Sequence, residues 1–290
     1  MKKESICIIG CGKVGTAVAF LLNRAGYPVS SLMDLNPEAR KRAYSLIGAP
    51  SYDNASAAAA AAEIVFITTN DDSIENVCNE IASRGALNGN KLVIHTSGAG
   101  GLSLFAAAKK CGASIACIHP IQSFTTIEGI IDTLPGSFFG ITAAEETAKS
   151  KALALVKALG GKPIFVDDRY KPLYHAAACI ASNYLVALLD ASSDLYQSIG
   201  LSEDDALRCL LPLVDGTLAN IRKRGLRHSL TGPIARGDIG TIEGHAEALR
   251  NISPSFMDLY RILGAIALKI AQSNKFITPE QAEHINKILE

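Results

Sequence analysis

Histidine is the side chain whose proton affinity lies nearest neutrality, so its settings are read first. Two of the six histidines stand out. His119 follows the apolar run 113–118 and is followed by Pro120 and Gln122. His175 lies in "LYHAAACIASNYLVALL", residues 173–189, an apolar and alanine-rich segment that also carries Asn183. On a helix turning about 100° per residue, His175, Cys179, Ser182, Asn183 and Asp190 share one stripe. At a rise of about 1.5 Å per residue, His175 and Asn183 stand roughly 12 Å apart. That is too far for one small atom and suits the wall of a groove. The other reading is a polar stripe satisfied inside a core. Ser97 lies three residues past a further apolar run, 92–94. Arg236 and Asp238 sit among Gly232, Pro233 and Gly237. A guanidinium on a rigid turn suits a carboxylate or phosphate, although an Arg236–Asp238 pair bracing the turn has the same pattern. The chemistry these residues could share is a proton step. His119 is the favoured acid–base, with His175 and Asn183 orienting and Ser97 donating to a carbonyl oxygen. Gln122, Arg236 and Asp238 would hold the substrate.

The residues that could hold a cofactor are near the start. The apolar run 6–9 ends in Gly10-Cys11-Gly12-Lys13-Val14-Gly15, an amphipathic helical pattern follows, and a second apolar run ends in Asp34. This is the βαβ pattern of a dinucleotide site. Gly10 makes the tight turn, Gly12 lets backbone approach a pyrophosphate, and Gly15 lets helix and strand pack closely. The free N–H groups of the helix start, from Lys13 and Val14 onward, face the phosphates. Asp34 stands where a carboxylate accepts from ribose hydroxyls, which favours NAD over NADP. Arg40, Lys41 and Arg42 follow it, either as a solvated helix face or as a counterweight to that preference. Thr69 and Asn70 end the next strand and complete the expected cofactor rim.

Stepping from these residues to what must carry them, strands are expected at 6–9, 29–33, 63–72, 91–101 and 113–123, alternating with helical patterns. A further strand–helix–strand unit is expected over 136–168. Alternation of this kind implies a Rossmann-type doubly wound parallel sheet, whose ligands bind beyond the carboxyl ends of the strands. Thr69, Asn70, His95, Ser97, Gly98, His119 and Gln122 all fall on that rim. From 169 the period becomes helical, with helices expected at 170–198, 203–224, 238–249, 253–273 and 279–288. The expected domains are therefore 1–168, dinucleotide-binding, and 169–290, all-helical.

Composition narrows the partners. The 290 residues are 48% apolar and 19% charged, with 28 basic against 28 acidic side chains, so no net field draws in nucleic acid. No uninterrupted apolar run reaches the roughly 18 residues of a membrane span, and none is expected. The seven cysteines include no CxxC pair, which points to reduced thiols in a cytoplasmic protein and to no metal site. A homodimer is expected from the apolar helical half.

The motifs "IIGCGKVGTAVAFLL", "HTSGAGGLSLF", "IHPIQSF", "LYHAAACIASNYLVALL" and "LTGPIARGD" together resemble the Rossmann-like, DUF2520-containing proteins, over about residues 5 to 250. These are also grouped as coenzyme F420-dependent NADP oxidoreductase-like. The resemblance implies an N-terminal nucleotide-binding domain and a helical C-terminal one. Coenzyme F420 would follow from the group label alone, since no residue here calls for a deazaflavin. More distantly, the layout is similar to the β-hydroxyacid, pyrroline-5-carboxylate and prephenate dehydrogenase group. The first of these uses a lysine and an asparagine on the first helix of the second domain, where this chain has Lys171, His175 and Asn183 at a different spacing. Prephenate dehydrogenases carry a His-Pro at a strand end, matched here by His119-Pro120, whose histidine meets the hydroxyl being oxidised. The expected function is NAD(P)-dependent hydride transfer on a small, polar, acidic metabolite. The alternative is a dinucleotide-binding sensor or scaffold without turnover.

Overall fold

A computed structural model describes residues 3–290. The chain forms two compact units, Met1–Asn183 and Tyr184–Glu290. The change to helical period falls earlier, at 168/169, because α8 (Lys171–Ala181) is helical yet belongs with the first unit.

The first unit is built on one seven-stranded sheet in the order β2-β1-β3-β4-β5-β6-β7. Its strands are β1 (Ile6–Ile9), β2 (Val29–Met33), β3 (Ile64–Ile67), β4 (Leu92–His95), β5 (Ser114–Ile121), β6 (Phe138–Ala143) and β7 (Lys162–Phe165). The helices between them are α1 (Lys13–Arg24), α2 (Pro37–Ile47), α3 (Ala55–Ala60), α4 (Asp71–Ser83), α5 (Ala106–Lys110), α6 (Ile127–Thr133) and α7 (Glu146–Ala158). Successive strand residues point to opposite faces, so each inner strand must be apolar throughout. Ile6 and Ile8 of β1 enter the core layer under α1, α6 and α7, while Cys7 and Ile9 enter the layer under α3, α4 and α5. Each fully buried aliphatic side chain contributes roughly 1.5–3 kcal/mol.

Strands β1 to β5 are parallel, as expected, but β6 pairs with β5 antiparallel and β7 follows β6 in parallel. The doubly wound parallel sheet expected is thus present, with one antiparallel step toward its far edge. Alternating strand and helix patterns do not encode direction, and the short α6 packs on α1 without carrying the chain through a full crossover. The strand order reverses between β1 and β3, the position where this class of sheet opens a crevice.

The second unit contains α9 (Asn183–Ser198, its first residue shared with the first unit), α10 (Glu203–Arg224), α11 (Pro233–Arg236), α12 (Ile239–Ile252), α13 (Pro254–Ser273) and α14 (Pro279–Leu289). Its core gathers Ile234, Ile242, Leu268, Ala271, Ala282, Ile285 and Leu289. The single helix expected over 170–198 is interrupted at Ser182, which caps α8 with φ −119°. Over Asp168–Ser198 the chain is nevertheless long and apolar enough, at a mean hydropathy of 1.3, to cross a membrane by length and composition. The expectation of no such segment counted uninterrupted apolar runs, whereas an average carries through Ser182 and Asn183. Val186 of α9 and Leu211 and Leu213 of α10 are exposed.

Candidate active site

The glycine loop after β1 is shaped as its sequence implied. Gly10 turns at φ +100°, a conformation that L side chains rarely adopt. A methyl group at Gly15 would collide with the Gly10 carbonyl oxygen and the Thr68 hydroxyl. That hydroxyl donates to Gly10 O at 2.7 Å and so locks the turn to the end of β3. Gly12, at the start of α1, has nothing within 4 Å of where a Cβ would stand. Bare backbone there faces open space with the N–H groups of α1 behind it.

Asp34 ends β2. One of its carboxylate oxygens accepts from Cys11 N at 2.7 Å and the other from Asn36 N at 2.8 Å. These bonds fix the carboxylate beside the loop and leave each oxygen a lone pair for a further donor. Arg40 is engaged elsewhere, donating to Tyr52 O and pairing with Asp53 at 2.7 Å.

Two hollows adjoin this loop. One, of about 290 Å³, holds Gly10, Gly12, Asp34, Thr69 and Asn70. The other, of about 510 Å³, holds Lys13, Val14, Ser97, Gly98, His119, Gln122 and His175. Both are lined by Gly12, Thr68, Thr69 and Asn70, so they adjoin along this loop as two ends of a trough, with Asp34 in one and the two histidines in the other. The Thr69 hydroxyl oxygen is buried in its wall with no protein partner. A buried hydroxyl without a partner is costly, and a bound polar ligand would satisfy it.

The histidine end depends on two further glycines. His119 in β5 stands opposite Gly140 in β6. The absence of a side chain at Gly140 makes room for the Tyr174 hydroxyl, which meets His119 Nδ1 at 2.7 Å. The phenol can donate to the imidazole or accept from it, so it accommodates either tautomer and leaves Nε2 for the trough. His175, one residue on in α8, stands edge-on to His119 with ring centroids 5.8 Å apart. Between the rings and β4 lies Gly98. A methyl carbon there would fall 2.7 Å from His119 Nε2, 2.8 Å from His175 Cε1 and closer still to His175 Nδ1. His175 Nδ1 is itself buried without a partner, while Nε2 meets the Cys179 thiol at 3.5 Å.

Burial lowers the proton affinity of His119 to a pKa of about 4, helped by the Lys171 charge and then by His175. The ring is therefore neutral at pH 7, with one nitrogen free to accept a hydrogen bond. Burial also raises the pKa of Tyr174, keeping its phenol protonated.

The remaining expected residues are placed as follows. Ser97 lines the trough, but its hydroxyl donates to Asp71 at 2.7 Å and accepts from Gly100 N at 2.8 Å, so it braces the turn after β4. Gln122 lines the trough and donates to Ser137 at 3.3 Å. His95 is not on the rim. It is fully buried against Phe105, accepts from Ser97 N at 3.2 Å, and is held neutral with a pKa of about 3, mainly by burial. It pairs with Cys117 across the sheet, packs on Phe105 and does not line the trough. Asn183 is exposed where α8 gives way to α9 and does not line the trough. Arg236 and Asp238 belong to the second unit. Arg236 reaches Asp238 at 3.8 Å, and Asp238 caps α12 through Thr241, which is the turn-bracing arrangement. His245 meets the Tyr260 hydroxyl at 3.1 Å. Sequence reasoning overlooked Tyr174 and Asp71. The visible signals were a tyrosine adjoining His175 and an acid opening the helix that follows the β3 rim.

Known proteins place this geometry in context. Residues 1–120 match the model of the Rossmann-like domain, and residues 137–266 match that of the domain of unknown function DUF2520. No curated protein matches the chain. Among solved structures, a Thermotoga maritima protein is 25% identical, with a TM-score of 0.75 over 93% of this chain and 99% of its own. A provisionally assigned NADP oxidoreductase from Bacteroides fragilis is 19% identical, with a TM-score of 0.71 over 93% and 99%. The Plasmodium falciparum pyrroline carboxylate reductase with NADP bound is 14% identical, with a TM-score of 0.59 over the full length of both. The chain thus carries a Rossmann-like domain over residues 1–120 and a DUF2520 domain over residues 137–266.

Proposed function

We propose that this protein binds NAD or NADP along the trough and uses it to oxidise or reduce a small polar metabolite beside His119. The observation that carries the reading is the pair of hollows adjoining at the open backbone of Gly12, one with Asp34 and the other with the paired imidazoles. The open Gly12 and the unpartnered Thr69 hydroxyl fit a dinucleotide, and the related reductase from Plasmodium falciparum holds NADP. The carboxylate of Asp34 would accept from ribose hydroxyls and repel a 2′-phosphate, while Arg40 is already occupied by Asp53. These two features favour NAD.

The nicotinamide would supply hydride chemistry; the chain supplies position and a proton path. His119 Nε2 faces the trough beside Gly98 and exchanges one proton with the reacting oxygen or nitrogen. Tyr174 holds the opposite ring nitrogen and fixes the ring plane. His175 Nδ1, buried without a protein partner, is satisfied by substrate or carboxamide. Such proton transfer contributes typically about 10²–10⁴-fold to rate. Lys13 at the mouth and the α1 N-terminus favour the anionic pyrophosphate.

The test is a melting-temperature series with NAD, NADP and neither. A ligand at about 100 times its Kd stabilises by about 2.7 kcal/mol. NAD is expected to raise the melting temperature more than NADP at equal concentration. No response to either at millimolar concentration would remove the proposal, and a larger response to NADP would overturn the role given to Asp34.

A further inference from the structure

A lysine that the motifs leave without a role lies beneath the site. Lys171 opens α8 and is 1% exposed, the largest charged side chain sealed within the structure. Its ammonium donates to the Ser97 carbonyl oxygen and to the Cys117 sulfur, each at 2.9 Å. Ser97 belongs to the turn after β4, and Cys117 lies on β5 two residues before His119. The Cys117 thiol, held protonated by burial, also reaches Ser97 O at 3.3 Å. One buried cation thus joins the turn after β4 and the middle of β5 to the helix that carries Tyr174 and His175.

Burying a cation with a carbonyl and a thiol as its bonded partners is an expensive way to fill space. Methionine would occupy a similar volume without the desolvation cost. Packing therefore does not account for the charge.

We propose that Lys171 is a positioning residue, tying the turn at Ser97–Gly98 to β5 and α8 so that Gly98 stays pressed between His119 and His175. Its charge has a second effect, since a fixed cation opposes protonation of a neighbouring imidazole. The groups around His119 are Lys171, Tyr174 and His175 on α8, Cys117 on its own strand and His95 at the end of β4, while Asp71 at the start of α4 lines the same hollow and Asp168 ahead of α8 acts on Cys117. Among the charges acting on His119, that of Lys171 is the largest and adds to burial in holding the ring neutral. The inference uses the proposed function only in naming His119 as the acid–base; the tie itself stands without it.

Histidine side-chain NMR titrations of the free protein test this without cofactor or substrate, so the result is separate from whether the trough binds a dinucleotide. In the unaltered protein His119 is expected to titrate well below the ordinary histidine range. Lys171→Met is expected to move that midpoint upward by roughly one pH unit and to shift the His175 ring signals. Lys171→Arg, which keeps the charge, is expected to hold the midpoint low. An unmoved midpoint in Lys171→Met would overturn the proposal. So would equal loss of melting temperature in both variants without any histidine shift, which is what a merely structural lysine gives. If Lys171→Met does not fold, an ordinary midpoint near 6.5 for His119 in the unaltered protein would be equally fatal.

Discussion

Replacing Gly12 by alanine is expected to weaken dinucleotide binding at least about tenfold, some 1.4 kcal/mol, while the melting temperature of the free protein stays unchanged. The backbone at Gly12, φ −69° and ψ −168°, is one that alanine adopts without strain. A Cβ there meets no protein atom within 4 Å. The added methyl therefore stands only in the space that a pyrophosphate would fill at the start of α1. Gly15→Ala makes the contrast. Its methyl would strike Gly10 O and the Thr68 hydroxyl, so the βα turn itself must give. Overpacking of that kind costs typically about 1–3 kcal/mol in the free protein. Thermal melts with and without NAD separate the two outcomes. Equal NAD affinity in Gly12→Ala and the unaltered protein would mean that the loop does not carry a phosphate.

Gly98→Ala should have the largest effect at the other end of the trough. Its methyl would enter the space between His119 Nε2 and His175, and neither ring can move without breaking a contact. His119 is held by Tyr174 at 2.7 Å and by its register opposite Gly140, while His175 is fixed on α8. The variant is expected to lose about 1–3 kcal/mol of stability and the neutral, aligned state of His119. As the ring is pushed toward solvent, its midpoint should rise from about 4 toward its ordinary value. Affinity for ADP-ribose, which lacks the nicotinamide, should change little, because Asp34 and Gly12 are untouched. Calorimetry with ADP-ribose and NAD, together with histidine titration, checks each part. Unchanged ring signals in a folded Gly98→Ala protein would show that the two imidazoles are not packed on this glycine.

The cofactor end was legible in the sequence because its demands fall on consecutive residues. Gly10 turns at positive φ, Gly15 leaves no room for a methyl group, Gly12 is bare toward open space and Asp34 is bonded to the loop at Cys11, so the local geometry follows the residue types. The inner strands were legible because burial on both faces forces unbroken apolar runs such as Ile6–Ile9. The reversal of β6 was not, since a strand of this length reads the same in either direction. Nor was the burial of His95, because it is the last residue of β4 and one or two positions along a strand end separate the sealed core from the open rim. His175 and Asn183 share a helical stripe in sequence, yet Asn183 does not line the trough, since a stripe ignores the interruption at Ser182. Tyr174 and Gly140 are partners across the fold, 34 positions apart in the chain, and neither spacing nor period points from one to the other.

The central claim is that one trough runs from the ribose carboxylate to the imidazole pair, so that a bound dinucleotide brings its nicotinamide to His119. Histidine-selective NMR with NADH and with ADP-ribose measures this directly. The account predicts that NADH shifts the side-chain signals of both His119 and His175, while saturating ADP-ribose leaves them in place. Identical spectra for the two ligands, each shown to be bound, would contradict it.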